Sequence, residues 1–220
     1  MSANSRLITR RNLIAAATTS LVMAQPLISF SSAAATRLQP TPQQTKGPFY
    51  PTQWAGDIDN DLVTVTGVDT RAMGKVLHIQ GQILDVRGAR LPDTMVEIWQ
   101  VDNNGVYLHP NDNRGNRRVE KGFQGRGRTQ TDRDGRYSFR TIRPVAYPGR
   151  TPHIHFHVKA PGRRALSTQL YFKGESKNKT DWLFKNAGDA ETRAKLITDP
   201  QPYDQVEAGA QIGQFDIVLA

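Results

Sequence analysis

The sequence predicts an all-β chain: an antiparallel β-sandwich core with an extended N-terminal arm and short helical and loop insertions. Three observations carry that expectation. Short segments alternate apolar and polar side chains, the period-2 signature of a strand with one buried face. The same segments are rich in β-branched and aromatic residues, which suit a pleated surface. Turn sequences such as "DNNG" at 102–105 and "DRDG" at 132–135 separate them, each ending on the glycine that a tight reversal favours.

Taken in order, the chain begins with a segment outside the fold. "TRRNLIAAATTSLVMA" joins Arg10 and Arg11 to an apolar, small-residue run, and Ala33, Ala34 and Ala35 supply a cleavage signature. Residues 1–35 therefore read as a twin-arginine-type signal peptide. The apolar run falls short of the roughly 20 residues a bilayer span needs, so no stable membrane anchor is expected after cleavage. The expected location is exported, periplasmic. Residues 36–220 are expected to form one domain. Its Pro- and Gln-rich opening, residues 36–55, is an extended arm. "KVLHIQGQILD" sets Leu77, Ile79 and Gly81 against Val76, His78 and Gln80. "TMVEIWQVD" alternates again, and "GRYSFRTI" opposes Tyr137, Phe139 and Thr141 to Ser138 and Arg140. "HIHFHV", "STQLYFKG" and "GQFDIVL" complete the strands. "DAETRAKLITDP", 189–200, is expected to be a short surface helix capped by Asp189.

Composition narrows the chemistry. The 220 residues are 37% hydrophobic and 22% charged, an ordinary globular balance, and contain no cysteine. Disulfides, thiolate metal sites and cysteine nucleophiles are excluded. The net charge of +9 falls to +6 once Arg6, Arg10 and Arg11 leave with the leader. Much of it sits in "RGNRRVEKGFQGRGR", 114–128, read as a solvated Gly-rich surface loop. No nucleic-acid motif accompanies it, so no nucleic-acid partner is expected.

The segment "YPGRTPHIHFHV", 147–158, carries three of the five histidines. In a strand His153, His155 and His157 share one face, and Ile154, Phe156 and Val158 the other. Histidines at i and i+2 stand about 6.6 Å apart by Cα, close enough for two imidazoles to meet one ion. Taken alone, the pattern equally describes a polar strand face that happens to carry histidine. Without cysteine, any metal must use His, Tyr, Asp or Glu, and the nearby candidate is Tyr147. A phenol titrates near 10, so a tyrosine ligand must be deprotonated by its metal, which a hard trivalent ion does well.

At this point the sequence resembles the intradiol ring-cleavage dioxygenases, in particular the catalytic β subunits of protocatechuate 3,4-dioxygenases. The likeness runs from "KGPFYP" at Lys46 to "STQLYFKG" near Gly174. It includes "GQILDVRGARLPDTMVEIWQVDNNGVYLHP" and "GRGRTQTDRDGRYSFRTIRPVAYPGRTPHIHFHV". The resemblance implies a β-sandwich fold and a non-haem Fe(III) held by Tyr107, Tyr147, His153 and His155. It implies that Arg150 stabilises charge developing on the substrate ring, that Tyr147 accepts a proton, and that Gln169 orients the substrate. The implied substrates are a catechol-type molecule and O2. The implied product is a cis,cis-muconate-type diacid, and a homo-oligomer is the implied assembly. The rival reading is an exported metal- or phenolic-binding sandwich without turnover. A second rival, an Fe(II) enzyme with two histidines and one carboxylate, leaves the tyrosines without purpose. This chain departs from the protocatechuate enzymes in the short "YPGRTPH", with Gly149 where they have tryptophan. The substrate pocket is expected to differ there. His157 is expected to pack or line the pocket, His109 to bond loop backbone, and Tyr50 to pack the arm or line the pocket.

Overall fold

The computed structural model describes residues 37–112 and 118–220. The leader read over residues 1–35 and part of the basic run, 113–117, lie outside the described residues. The strands are β1 (Val76–Asp85), β2 (Met95–Trp99), β3 (Arg126–Gln130), β4 (Arg136–Ile142), β5 (His153–Lys159), β6 (Leu166–Phe172), β7 (Ile197–Thr198), β8 (Gln201–Pro202), β9 (Gln211–Gln214) and β10 (Ile217–Leu219). A 3₁₀ turn (Ser176–Lys179) and the short helices α1 (Trp182–Lys185) and α2 (Ala190–Ala194) lie between β6 and β7.

The strands form two sheets. In the first, β4 pairs antiparallel with β1, β9 and β10 pair parallel with β1, and β8 pairs antiparallel with β9. The second runs β3-β2-β5-β6-β7, antiparallel except for β6 with β7. The sandwich is therefore all-β, with parallel pairs added to its antiparallel ladders. Leu77, Ile79 and Ile83 of β1 and Phe139 of β4 join Val96, Ile98, Ile154, Phe156 and Val158 in one core cluster. Each such side chain contributes about 1.5–3 kcal/mol on full burial.

"GQFDIVL" reads as one strand but is interrupted at Phe215 and Asp216. The offset to β1 is unchanged across the break, with Gln80 facing Gln214 and Ile83 facing Ile217. Between them Phe215 N–H donates to Gln80 O at 2.9 Å, and Asp216 Oδ1 accepts from Gln82 N at 2.9 Å. This close approach needs Gly81, because a Cβ there would lie 1.9 Å from Phe215 O. Asp189 caps α2 as expected, accepting from Thr192 N at 2.8 Å. The helix stops at Ala194 because Ile197 and Thr198 join the sheet beside Tyr171 and Phe172. The end of the basic run is also not a loop: Arg126–Arg128 open β3, paired with Trp99, Ile98 and Glu97.

The outer face of the second sheet positions the site. Trp99, His155 and Gln169 stand in register across β2, β5 and β6, and Glu97, His157 and Ser167 form the next row. The arm lies over this face. Thr41 N–H donates to Val218 O of β10 at 2.9 Å and Gln44 N–H to Ser167 O of β6 at 2.8 Å, bonds that tie the arm to both sheets, and Tyr50 then packs over Trp99 and His157. Residues 153–158 are consequently buried on both faces, and their alternation is one of residue type rather than exposure.

Candidate metal centre

Two side chains come from adjacent positions on one strand face. His153 and His155 lie on β5, both buried, with ring centroids 4.9 Å apart. Tyr107 follows the "DNNG" turn, where Asp102 Oδ1 accepts from Asn104 N and Val106 N at 2.9 and 3.0 Å and Gly105 takes φ +76°. That turn returns the chain so that Tyr107 points back at β5. Tyr147 opens the tight "YPGR" turn that Gly149 closes at φ +79°. Such a positive φ is costly for any side chain but glycine.

These four side chains converge. Tyr107 Oη lies 3.1 Å from His153 Nε2 and 3.0 Å from His155 Nε2. Tyr147 Oη lies 3.5 Å from His153 Nε2 and 3.5 Å from Tyr107 Oη. Four donors around one ion with bonds of about 2.0 Å have edges of about 3.3 Å, which is this spacing. A single phenolic proton on Tyr107 cannot serve two imidazole nitrogens at once, whereas one cation serves all four lone-pair donors. The residues therefore fit a metal ion. His153 Nδ1 lies 2.7 Å from Thr151 O, the bond that fixes a ligating imidazole with Nε2 turned toward the other donors. Burial, with His153 and Arg150 nearby, holds the His155 pKa well below the usual imidazole value and keeps the ring in the neutral ligand form. Trp99 stacks on His155 at 4.7 Å and 9°, and Phe49 stacks on Tyr107 at 4.8 Å. The donor set is hard: two phenols and two imidazoles. Among the described residues no cluster of three His, Cys, Asp or Glu forms a competing site.

Arg150 stands beside this cluster. Its Nη1 is 3.4 Å from Tyr147 Oη, Nη2 donates to Gln169 Oε1 at 2.6 Å, and Nε donates to Asp181 Oδ2 at 2.9 Å. The structure thus brings together all six residues singled out from the sequence: Tyr107, Tyr147, His153, His155, Arg150 and Gln169. Gln169 is fully buried, and both ends of its amide are used, since Nε2 donates to Thr45 O at 3.3 Å. Its geometry is that of a brace on Arg150. His157 Nδ1 pairs with Ser167 Oγ at 2.8 Å, one row away from the convergence point. Burial and Lys46 lower its pKa to about 4. His109 Nδ1 accepts from Asn111 N at 3.1 Å, in the loop as expected. Tyr50 donates to Glu97 Oε2 at 2.8 Å and packs edge-on to Trp99 and His157, which makes it arm packing. Burial and Glu97 push its phenol up to about 12, so it stays protonated.

Two residues escaped sequence reasoning. Asp181 lies in an unpatterned loop 31 residues after Arg150. Glu97, buried on β2, anchors Tyr50 and takes Lys159 Nζ at 3.4 Å. Its signal was an acidic residue inside the strand "MVEIW", which requires a partner when buried.

A family model described as Dioxygenase matches residues 45–220. A protocatechuate 3,4-dioxygenase beta chain from Burkholderia cepacia is 36% identical over 182 residues, covering 78% of this chain and 76% of that one. A hydroxyquinol 1,2-dioxygenase from Nocardioides simplex is 29% identical over 174 residues, covering 68% of this chain but 56% of that enzyme, so the present chain spans little more than half its length. Among solved structures, the dioxygenase domain of a dioxygenase carbohydrate-binding protein fusion from Streptomyces sp. SirexAA-E superposes with a TM-score of 0.64. It is 34% identical and covers 82% of this chain and 98% of that one.

Proposed function

The chain belongs to the intradiol ring-cleavage dioxygenases, a family of enzymes, and on that premise we propose that it is a non-haem Fe(III) enzyme acting on a catechol-type diphenol. The reaction cleaves the ring between the two hydroxyl-bearing carbons and places both atoms of O2 in a cis,cis-muconate-type diacid. The observation that carries this reading is the convergence of Tyr147 Oη, His153 Nε2 and His155 Nε2 on Tyr107 Oη at 3.0–3.5 Å, with Tyr147 Oη also 3.5 Å from His153 Nε2.

Tyr107, Tyr147, His153 and His155 would hold the ion. Bound there, a ferric ion supplies Lewis acidity to a catechol dianion. The protein's own groups then divide the work. Binding a catechol as a dianion requires two protons to leave its hydroxyls: Tyr147 Oη, as the phenolate, accepts one, and a hydroxide drawn from solvent accepts the other to leave as water. Tyr147 suits this better than Tyr107, whose oxygen sits between two imidazoles while that of Tyr147 is farther out and faces Arg150. The Arg150 guanidinium stabilises negative charge on Tyr147 and then on the ring. Burial opposes its charge, but Tyr147 and Asp181 outweigh that and raise its pKa, so it stays cationic at every working pH. Trp99 and Phe49 cover His155 and Tyr107 and exclude water, which strengthens these interactions.

The test is oxygen uptake by iron-loaded protein with catechol, protocatechuate and hydroxyquinol. The expected product is a muconate-type diacid, and the expected protein is reddish from tyrosinate-to-iron charge transfer. A yellow semialdehyde product, or a colourless iron-loaded protein, overturns the reading. The leader supports export of the folded, metal-loaded chain to the periplasm. Fractionation of cells expressing the full sequence, with Arg10 and Arg11 intact or changed to Lys, checks it: the lysine variant is expected to stay inside.

A further inference from the structure

Arg150 carries its charge on a long, flexible stem at the end of a turn, not on a strand, so its position depends on what grips it. Three of its five N–H groups are engaged: Nη1 near Tyr147, Nη2 on Gln169 and Nε on Asp181. The carboxylate is the unexpected member. Asp181 has a side chain with 0% exposure, and its carboxylate accepts three hydrogen bonds. Oδ2 accepts from Arg150 Nε and from Thr151 N, both at 2.9 Å, and Oδ1 accepts from Phe184 N at 3.0 Å. Burial pushes its pKa up, but the two backbone N–H groups and Arg150 outweigh that and hold it below the usual carboxylate range.

Capping a short helix does not explain this burial. Asp189 caps α2 in the same manner, accepting from Thr192 N, and does so fully at the surface. A buried carboxylate is expensive unless it is paired, and the pair made here is with the cation that stands 3.4 Å from Tyr147 Oη.

We propose that Asp181 is the positioning residue for Arg150: through Nε and through Thr151 N it sets the guanidinium plane, so that Nη1 stays at Tyr147 Oη while Gln169 holds the other side. The inference rests on the functional reading above. It also places the 3₁₀ turn and α1, which look like an idle excursion between β6 and β7, in the service of the site.

Two variants separate positioning from folding. Asp181→Asn removes the negative charge and one of the two acceptor oxygens, so the pair Arg150 Nε and Thr151 N on one side and Phe184 N on the other can no longer both be served. Asp181→Ser retains a good helix cap for Phe184 N and gives up the bond to Arg150. Both are expected to retain iron and to lower kcat about tenfold with KM changed less than about twofold, the scale of a group displaced by a fraction of an ångström to an ångström. In an Arg150→Ala background the same substitutions are expected to change kcat by less than about twofold. A tenfold loss that persists without Arg150, or wild-type turnover in Asp181→Ser, overturns the proposal. Crystal structures of both variants add a readout free of turnover: Arg150 Nη1 is expected to leave Tyr147 Oη, and an unmoved guanidinium overturns the proposal. Wild-type protein that turns over no diphenol defeats the functional reading instead and leaves the positions to decide this one.

Discussion

Two clusters of polar side chains sit on the outer faces of the two sheets, and they are built on opposite plans. On the first sheet Arg140 donates to Glu207 at 2.7 and 2.8 Å and to Asp61 at 3.0 Å, while His78 and Arg71 approach Glu207 at 3.2 and 3.3 Å. Every positive group there meets a negative one. On the second sheet Tyr107, Tyr147, His153 and His155 turn lone-pair-bearing oxygen and nitrogen atoms toward one another. A complementary network is closed and needs nothing further. A convergent one is complete only with a cation. The same fold thus shows how to tell a stabilising cluster from a functional one: by whether opposite charges pair within it or like donors converge on one point.

Removing one convergent donor is expected to have the largest effect. His155→Ala is expected to bring iron content toward zero and to lower oxygen uptake by about a thousandfold or more, because the metal contributes several kcal/mol to the barrier. Arg140→Ala, which removes the hub of the other cluster, is expected to leave iron content unchanged. Metal analysis of the two purified variants decides it; equal iron loss in both would erase the distinction between the clusters.

Tyr147→Phe is the finer cut. It deletes one oxygen and keeps the ring that packs on Tyr107 and His153. Losing a positioned proton acceptor costs about a hundredfold in kcat. The visible band is expected to shift while part of the iron stays bound. A variant with the wild-type spectrum and rate would remove Tyr147 from the site.

The difference between the clusters also governs how much was legible beforehand. His153 and His155 could be paired from the i, i+2 spacing because a strand's two-residue period is a local property. Tyr107 could not: nothing in "DNNGVY" states that its turn aims a phenol at a strand 46 residues away, and it came only through resemblance to a family. Asp181 was invisible for the same reason, since its loop has no periodicity and its partner is far off in sequence. The break between β9 and β10 was likewise hidden, because it is imposed by Gly81 meeting Phe215 across 134 positions of chain. The strands themselves were readable, down to Tyr137 and Phe139 facing inward on β4. What was missed was the covering of the histidine face, since the arm is tied to β10 and β6 by backbone bonds from Thr41 and Gln44, and only then brings Tyr50 over His157.

The smallest expected effect belongs to the closed cluster, and pH gives it a sign. Hydrogen bonds from Arg140, with His78 adding to them against the opposing cost of burial, lower the Glu207 pKa from 4.5 to about 2. A carboxyl with a depressed folded pKa is protonated more readily in the unfolded chain. Its contribution is therefore fully present above about pH 4.5 and is lost as pH falls through about 2. Arg71 is 60% exposed, so water screens the rim of the network, and Glu207→Gln is expected to cost only about 1 kcal/mol at neutral pH. Denaturant melts of wild type and Glu207→Gln are expected to differ by that amount at pH 6 and to converge toward pH 2.5, with iron content and turnover equal throughout. A gap that widens as pH falls would reverse the assigned sign. Iron loss in this variant would mean that the two faces are coupled, and that the surface network also supports the site across the sandwich.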